Sequence, residues 1–288
     1  MIDRYQLRYF LAVVEAGNFS RAAARANVTQ PTLSTGVAKL ERHLGTRLFF
    51  RNSQRVHLTE AGSRFLVHAR AIESEFNQAE SRLSGVEERR LVRVGVLASF
   101  PTDLLERVVK HQNAAERPDR LEILEGGERD LLARLDRGRI DVALTLVRGA
   151  PTRFHEEPLF TEGYSLAVPA GSRHAHAASV TAENLADEVM IVRRHCEALS
   201  AISRHFTERG VRPEFSFRSL SDDRVCAMIR AGMGITVMPD CYRDAAIFRP
   251  RLTGFDLKRT IGLVYADRTS TLMGGDSAFV AAARSLTG

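Results

Sequence analysis

Cys196 closes the run Arg193-Arg194-His195-Cys196, just before a predicted helix that begins near Glu197. Cationic neighbours and a helix N-terminus favour thiolate over thiol, so this spacing predicts a lowered thiol pKa and a nucleophilic sulfur. A small buried or cleft-lining residue is the other reading. The same two arginines, together with free N–H groups at helix starts, predict a subsite for a small carboxylate or similar anion. Arginines that are solvated or paired with acids are the alternative. Ligands of strand–helix folds bind where strands end and helices start. The candidate cleft residues are therefore Ser99, Phe100, Thr102, Thr145, Arg193, Arg194, His195, Cys196, Ser219, Leu220, Ile235 and Thr236. Cys226 and Cys241 read as core. Three cysteines without a C-x-x-C pair argue against a disulfide scaffold or a structural zinc site. His174-x-His176 has no acid or cysteine nearby to complete a metal site, and Gly232-x-Gly234 lacks the spacing of a dinucleotide loop. No Ser-His-Asp or paired-carboxylate arrangement stands out. The expectation is a non-enzyme with no metal and no cofactor.

A second constellation is polar and short. Thr29, Gln30, Thr32 and Ser34 crowd the first turn of a predicted helix, and Pro31, Thr35, Ala38, Lys39 and Arg42 lie opposite its Leu33–Val37–Leu40 stripe. A glutamine can pair bidentately with adenine, and threonine methyls and hydroxyls can meet thymine or phosphate. Arg51 and Arg55 bracket a turn from which they could reach phosphate or the minor groove. Residues 1–65 hold ten Arg and Lys against four acids, which is the whole net charge of +6. A basic head on a neutral body suggests a polyanion partner. A small helical bundle with a solvated polar face is the competing reading.

The elements that must position these residues follow from periodicity. Leu7, Phe10, Leu11 and Val14 mark one helix face over residues 4–16. A short helix with Ser20 as its predicted cap and a turn at Asn27-Val28 follow. Thr29 then caps a third helix, which tolerates Pro31 in its first turn and ends at Gly45. Two short strands around Asn52-Ser53-Gln54 make a wing. Thr59 caps a long helix to about Leu83 whose apolar positions Leu66, Ala69, Ile72, Phe76, Ala79 and Leu83 recur near the coiled-coil period, predicting pairing with a second copy. From Leu91 strands and helices alternate, which predicts parallel sheets covered on both faces. No apolar run is long enough to span a membrane and no signal peptide opens the chain, so the expected location is cytoplasmic.

The chain resembles the LysR-type transcriptional regulators along its whole length. Asn18-Phe19-Ser20-Arg21-Ala22-Ala23 and Val28-Thr29-Gln30-Pro31-Thr32-Leu33-Ser34 are similar to the family's helix-turn-helix signature. Leu40-Glu41-Arg42-His43-Leu44-Gly45, Leu48-Phe49-Phe50-Arg51 and Leu58-Thr59-Glu60-Ala61-Gly62 continue it. Gly126-Gly127, Arg139–Leu144 and Arg230–Pro239 resemble signatures of its effector domain. Thr35 and Gly36 depart from it, standing where longer basic or amide side chains are common. The resemblance implies an α/β protein in three parts. They are a winged helix-turn-helix (1–59), a dimerisation helix (60–88) and a two-lobed, Rossmann-like effector domain (89–288) resembling a periplasmic solute-binding protein. Its lobes are expected at about 89–161 with 266–288, and at about 162–265. The implied partners are double-stranded DNA at an inverted repeat, a small effector between the lobes, further copies in a dimer or tetramer, and RNA polymerase. His195-Cys196 and Ser99 are also similar to the family's peroxide-sensing branch, but that branch's resolving cysteine would fall near His205, so oxidation of Cys196 would stop at sulfenic acid or a mixed disulfide. The alternatives are a redox regulator acting through Cys196 and a solute-binding protein with no DNA function.

Overall fold

The computed structural model describes residues 2–50, 56–84, 89–149, 152–266, 271–275 and 277–287. Three helices open the chain: α1 (Arg4–Ala16), α2 (Phe19–Arg25) and α3 (Gln30–Leu44). Asp3 and Thr29 cap the first and third with side-chain oxygens, and Gly17 and Gly45 end them in the left-handed conformation that glycine adopts without strain. The second helix is capped by Asn18 rather than Ser20, and it begins two residues earlier than the sequence suggested. Asn18 Oδ1 accepts from the backbone N–H groups of Ser20 and Arg21, which frees the Ser20 hydroxyl for another partner.

Strands β1 (Phe49–Phe50) and β2 (His57–Leu58) pair antiparallel as the base of the wing. Arg51 and Arg55, between them, lie outside the described residues. Phe65, Phe10, Phe49 and Phe19 meet in that order, tilted or edge-on, at 5.2–5.8 Å and close the core of this head.

The rod α4 (Glu60–Ser84) starts at Thr59, whose Oγ1 accepts from the Gly62 N–H. Its first half does not await a second copy: Leu66 and Ala69 are fully buried in the head's own core. Periodicity could not separate the two roles, because one stripe serves the head at its start and points outward further on. Ile72, Phe76 and Ala79 are exposed, and Leu83's side chain lies outside the described residues. Arg4 grips this outer half, donating to Glu73 (3.1 Å), Asn77 (2.9 Å) and Glu80 and stacking on Phe76.

The first lobe is built from β3 (Leu91–Leu97), α5 (Thr102–Asn113), β4 (Arg120–Gly126), α6 (Glu128–Asp136), β5 (Val142–Leu146) and β6 (His155–Glu162). The second holds β7 (Tyr164–Pro169), β8 (Ser179–Val180), β9 (Val189–Arg193), α7 (Leu199–Glu208), β10 (Glu214–Ser219), α8 (Asp222–Arg230), β11 (Thr236–Pro239), β12 (Ile247–Phe248) and β13 (Arg251–Leu252). The chain then returns to the first lobe through β14 (Arg259–Tyr265) and ends in α9 (Ala278–Arg284). The first sheet has the order β4-β3-β5-β14-β6.

Three expectations change here. The return to the first lobe comes at Arg259, not at 266, because β14 lies inside that lobe's sheet, between β5 and β6. The sheets are mixed rather than parallel: β14 runs antiparallel to β5 and β6, and β11 antiparallel to β7. Strand β6 carried no strand signal, since it is polar and contains Pro158, a residue an edge strand tolerates. The head packs on the first lobe through a polar joint in which Arg93 contacts Glu15, Glu122 and Asp141. Burial beside Arg93 pushes Arg70 of α4 down to about 10.

Candidate functional site

The head presents one surface suited to a nucleic-acid groove. Leu33, Val37 and Leu40 anchor α3 in the core, which turns Thr29, Gln30, Pro31, Thr32, Ser34, Thr35, Lys39 and Arg42 to solvent, with Ala38 half-buried. The first turn is held firmly. Thr29 Oγ1 accepts from the Thr32 N–H, and the two hydroxyls lie 2.8 Å apart. The Ser20 hydroxyl donates to Gln30 Oε1 at 2.9 Å, fixing the amide while its NH₂ and a second oxygen lone pair remain for a base edge. Glu41 Oε1 accepts from the N–H groups of Leu48 and Phe49, tying α3 to the wing.

Gly36 also finds its reason here. A Cβ at this position would stand 2.4 Å from Cδ2 of Tyr9, so α1 and α3 approach as they do because position 36 has no side chain.

Between the lobes lies a buried network that sequence reasoning located only in part. Glu197, from the segment after β9, reaches across the cleft. Its Oε2 accepts from Ser99 Oγ of the first lobe at 2.6 Å, and its Oε1 accepts from Tyr164 OH at 2.6 Å and from Arg259 Nη1 at 2.7 Å. Arg259 also donates to Ser99 Oγ, to Glu162 at 2.8 Å and to Cys241 Sγ at 3.4 Å. Burial works against the Glu197 charge, but Arg259, Ser99 and Tyr164 outweigh it and hold the carboxyl below its usual range. A second tie joins the lobes at Thr102, which donates to Asp223 at 3.0 Å.

Behind this bridge Arg193, only 2% exposed, makes a bidentate pair with Asp222. Asp222 also accepts from Tyr242 OH at 2.7 Å and lies 3.2 Å from His195 Nε2. Burial alone would raise the Asp222 carboxyl, and the Arg193 and His195 contacts reverse the sign and hold it well below the usual carboxylate range.

The expected anion subsite is therefore not free at Arg193, whose guanidinium is already neutralised by Asp222. Arg194 is exposed. Leu220 is 67% exposed and points away from the interior. Ile235 and Thr236 are buried inside the second lobe, where Thr236 Oγ1 donates to the Ile191 carbonyl. Phe100 belongs to the first lobe's core, and Ser219 hydrogen-bonds locally to Ser221. Thr145 Oγ1 and both ring nitrogens of His195 are buried without a well-formed hydrogen bond among the described residues, so the 3.2 Å approach of His195 Nε2 to Asp222 is a charge contact.

Cys196 departs most from expectation. Arg193 Nη1 does donate to its sulfur at 3.3 Å, but burial dominates and raises the thiol pKa. Arg193 still favours the thiolate, but desolvation disfavours it more strongly, since Cys196 is 7% exposed. A cavity of about 330 Å³ opens beside the Thr102–Asp223 tie, lined by Thr102, Glu106, Asp223, Cys226, Tyr242 and Arg249 among others. Glu197, Asp222, Tyr164, Tyr242 and Arg259 were all missed from sequence. The one legible signal was a charged residue next to Cys196 or opening an apolar strand.

Residues 5–63 match the model of the bacterial regulatory helix-turn-helix protein, lysR family, and residues 85–273 match that of the LysR substrate binding domain. The chain belongs to the LysR family of transcriptional regulators. This LysR-family protein is 32% identical over 270 residues to the DNA-binding transcriptional dual regulator OxyR of Escherichia coli K12, covering 90% of this chain and 88% of the relative. It is 30% identical to the transcriptional regulator XapR of the same organism, covering 86% and 87%. Its fold is similar to ArgP from Mycobacterium tuberculosis (TM-score 0.75, 19% identity, 100% and 98% covered). It is also similar to a full-length OxyR variant from Pseudomonas aeruginosa (TM-score 0.68, 22% identity, 99% and 95% covered). The regulator is thus a DNA-binding protein with an effector-binding domain, as the head and the two lobes require. Among its described residues no helix is long and apolar enough to cross a membrane.

Proposed function

We propose that this LysR-family regulator binds an inverted-repeat promoter site as a dimer or tetramer, and that a small molecule entering between the lobes sets its binding or activity. The observation that carries the reading is the first turn of α3, capped by Thr29, exposed, and braced by the Ser20 hydroxyl on Gln30. Thr29, Gln30, Pro31, Thr32, Ser34 and Thr35 face the bases, with Ala38 at the edge of that face, and Arg42, Arg51 and Arg55 face phosphate. Of the predicted cleft residues, Thr102, which lines the cavity, and Thr145 and His195, whose buried polar atoms lack a hydrogen-bond partner among the described residues, receive the effector. The protein is cytoplasmic, contacts RNA polymerase and catalyses no reaction of its own. Footprinting tests the reading: protection is confined to an inverted repeat, and affinity falls steeply with salt as phosphate contacts release counterions. Uniform protection of any duplex, or an affinity that ignores salt, sinks it.

A second reading is favoured by the Arg193–Cys196 contact and by the likeness to OxyR. In it Cys196 reacts with peroxide: its sulfur takes one oxygen to become a sulfenic acid and water leaves. His205, in the region of the expected resolving partner, is buried beside Phe255 and offers no second thiol. A peroxide-dependent change in footprint that Cys196→Ser abolishes supports this reading, and an unchanged response in that variant removes it.

A further inference from the structure

The inter-lobe bridge is built as an anion site is built. Three donors converge on one carboxylate, from Ser99 (fully buried), Tyr164 and Arg259 (each 5% exposed), and they come from both lobes. Arg259 and Ser99 belong to the first lobe, Tyr164 to the second. A free carboxylate placed there would pull the lobes together by meeting all three at once. In this chain the carboxylate is Glu197, carried on the short segment between β9 and α7.

The surroundings leave no room in charge for another anion. The two buried guanidinium groups, Arg193 and Arg259, already face three carboxylates: Asp222, Glu162 and Glu197. An anion entering beside them would find both guanidinium groups already paired with carboxylates at low dielectric.

We propose that Glu197 is a tethered occupant of the cleft's carboxylate subsite, so that the regulator closes its lobes with a ligand group of its own and admits a free carboxylate only when Glu197 is removed. A free effector then works beside an ionised carboxylate already in place, which selects a neutral or cationic hydrogen-bonding molecule rather than an acid. The proposal rests on the reading of the inter-lobe cleft as the control site only where it touches DNA binding; the occupancy of the subsite stands apart from it.

The full-length Glu197→Ala variant tests it with acetate as the probe. The substitution removes Cγ and the carboxylate, the same two carbons that acetate supplies. Melting temperature is followed against acetate concentration, with acetamide as the neutral isostere at matched ionic strength. The expected result is a melting temperature below wild type that rises with the logarithm of acetate concentration, by mass action on the folded form. Acetamide gives no such rise, and neither does acetate on the wild type. A folded Glu197→Ala protein indifferent to acetate overturns the proposal, and so does a wild type stabilised as strongly as the variant.

Glu197→Gln keeps size and shape and guards against a variant that fails to fold. It loses the charge facing Arg259, so its lobes are expected to open, seen as a larger radius of gyration in solution scattering. Dimensions and melting temperature equal to wild type would count against the charged tether. Footprinting of Glu197→Ala with and without acetate separates the two layers. Acetate-dependent stability with an unchanged footprint keeps the tethered occupant and removes cleft control of DNA binding. A footprint altered with no acetate-dependent stability does the reverse.

Discussion

Asp222 shows how much one residue can settle. It collects Arg193, Tyr242 and His195 on a single buried carboxylate, and through Arg193 it decides the environment of Cys196. Its folded pKa is depressed, so the stabilisation it brings is complete above the ordinary aspartate value of about 3.9 and is lost as pH falls through the folded value. Asp222→Asn leaves the Arg193 guanidinium buried against a neutral amide, a loss of about 3–5 kcal/mol. Denaturant melts at several pH values are expected to show that gap constant from neutral down to about pH 5 and narrowing below it. A gap that persists unchanged in acid would mean that shape, not charge, is what Asp222 supplies. At Cys196 the sequence displayed the cationic neighbours and concealed the burial, and burial has the larger effect.

At the scale of elements, α1 and α3 meet at Tyr9 and Gly36. Glycine inside a helix costs roughly 1 kcal/mol against alanine, and the head accepts that cost where a Cβ would strike the Tyr9 ring. Gly36→Ala is therefore expected to destabilise the head by about 1 kcal/mol net, since the overpacking penalty of roughly 1–3 kcal/mol exceeds the helix gain. In a Tyr9→Ala background the same substitution is expected to stabilise by about 1 kcal/mol. Urea titrations of the four proteins in the cycle measure both signs, and equal effects in the two backgrounds would reject Tyr9 as the reason for the glycine. The α3 elements were legible because cap, turn and stripe are local. Strand β6 was not, because its place at a sheet edge beside β14 depends on residues about a hundred positions away.

For the whole molecule, the question is what covers the outer half of α4. Ile72 is 39% exposed and Phe76 44%, one helical turn apart on a rod about 37 Å long. Leu66 and Ala69 are taken by the head, so pairing of two copies falls to Ile72, Phe76 and the residues beyond. Replacing Ile72 and Phe76 together with Asp is expected to give a monomer by sedimentation, with at least about tenfold weaker operator binding from lost avidity and an unchanged melting transition of the head. A double variant that stays dimeric would move the interface elsewhere, and one whose head unfolds would mean that Arg4 stacked on Phe76 holds α4 in place.

The winged head and the strand–helix body were written in short-range pattern: caps, turns, apolar periods and a basic excess confined to the first 65 residues, while family and regulator function came from the resemblance of motifs such as Val28–Ser34 to the LysR signature. Those signals survive in sequence because each acts over a few neighbouring positions. Tertiary structure alone decided which buried charge meets which. Glu197 meets Arg259 across 62 positions and Ser99 across 98, while Arg193 meets Asp222 across 29. Coulomb attraction and desolvation depend on distance in space, so two adjacent arginines that read locally as one anion subsite part company once folded: Arg193 is buried against Asp222 and Arg194 faces solvent.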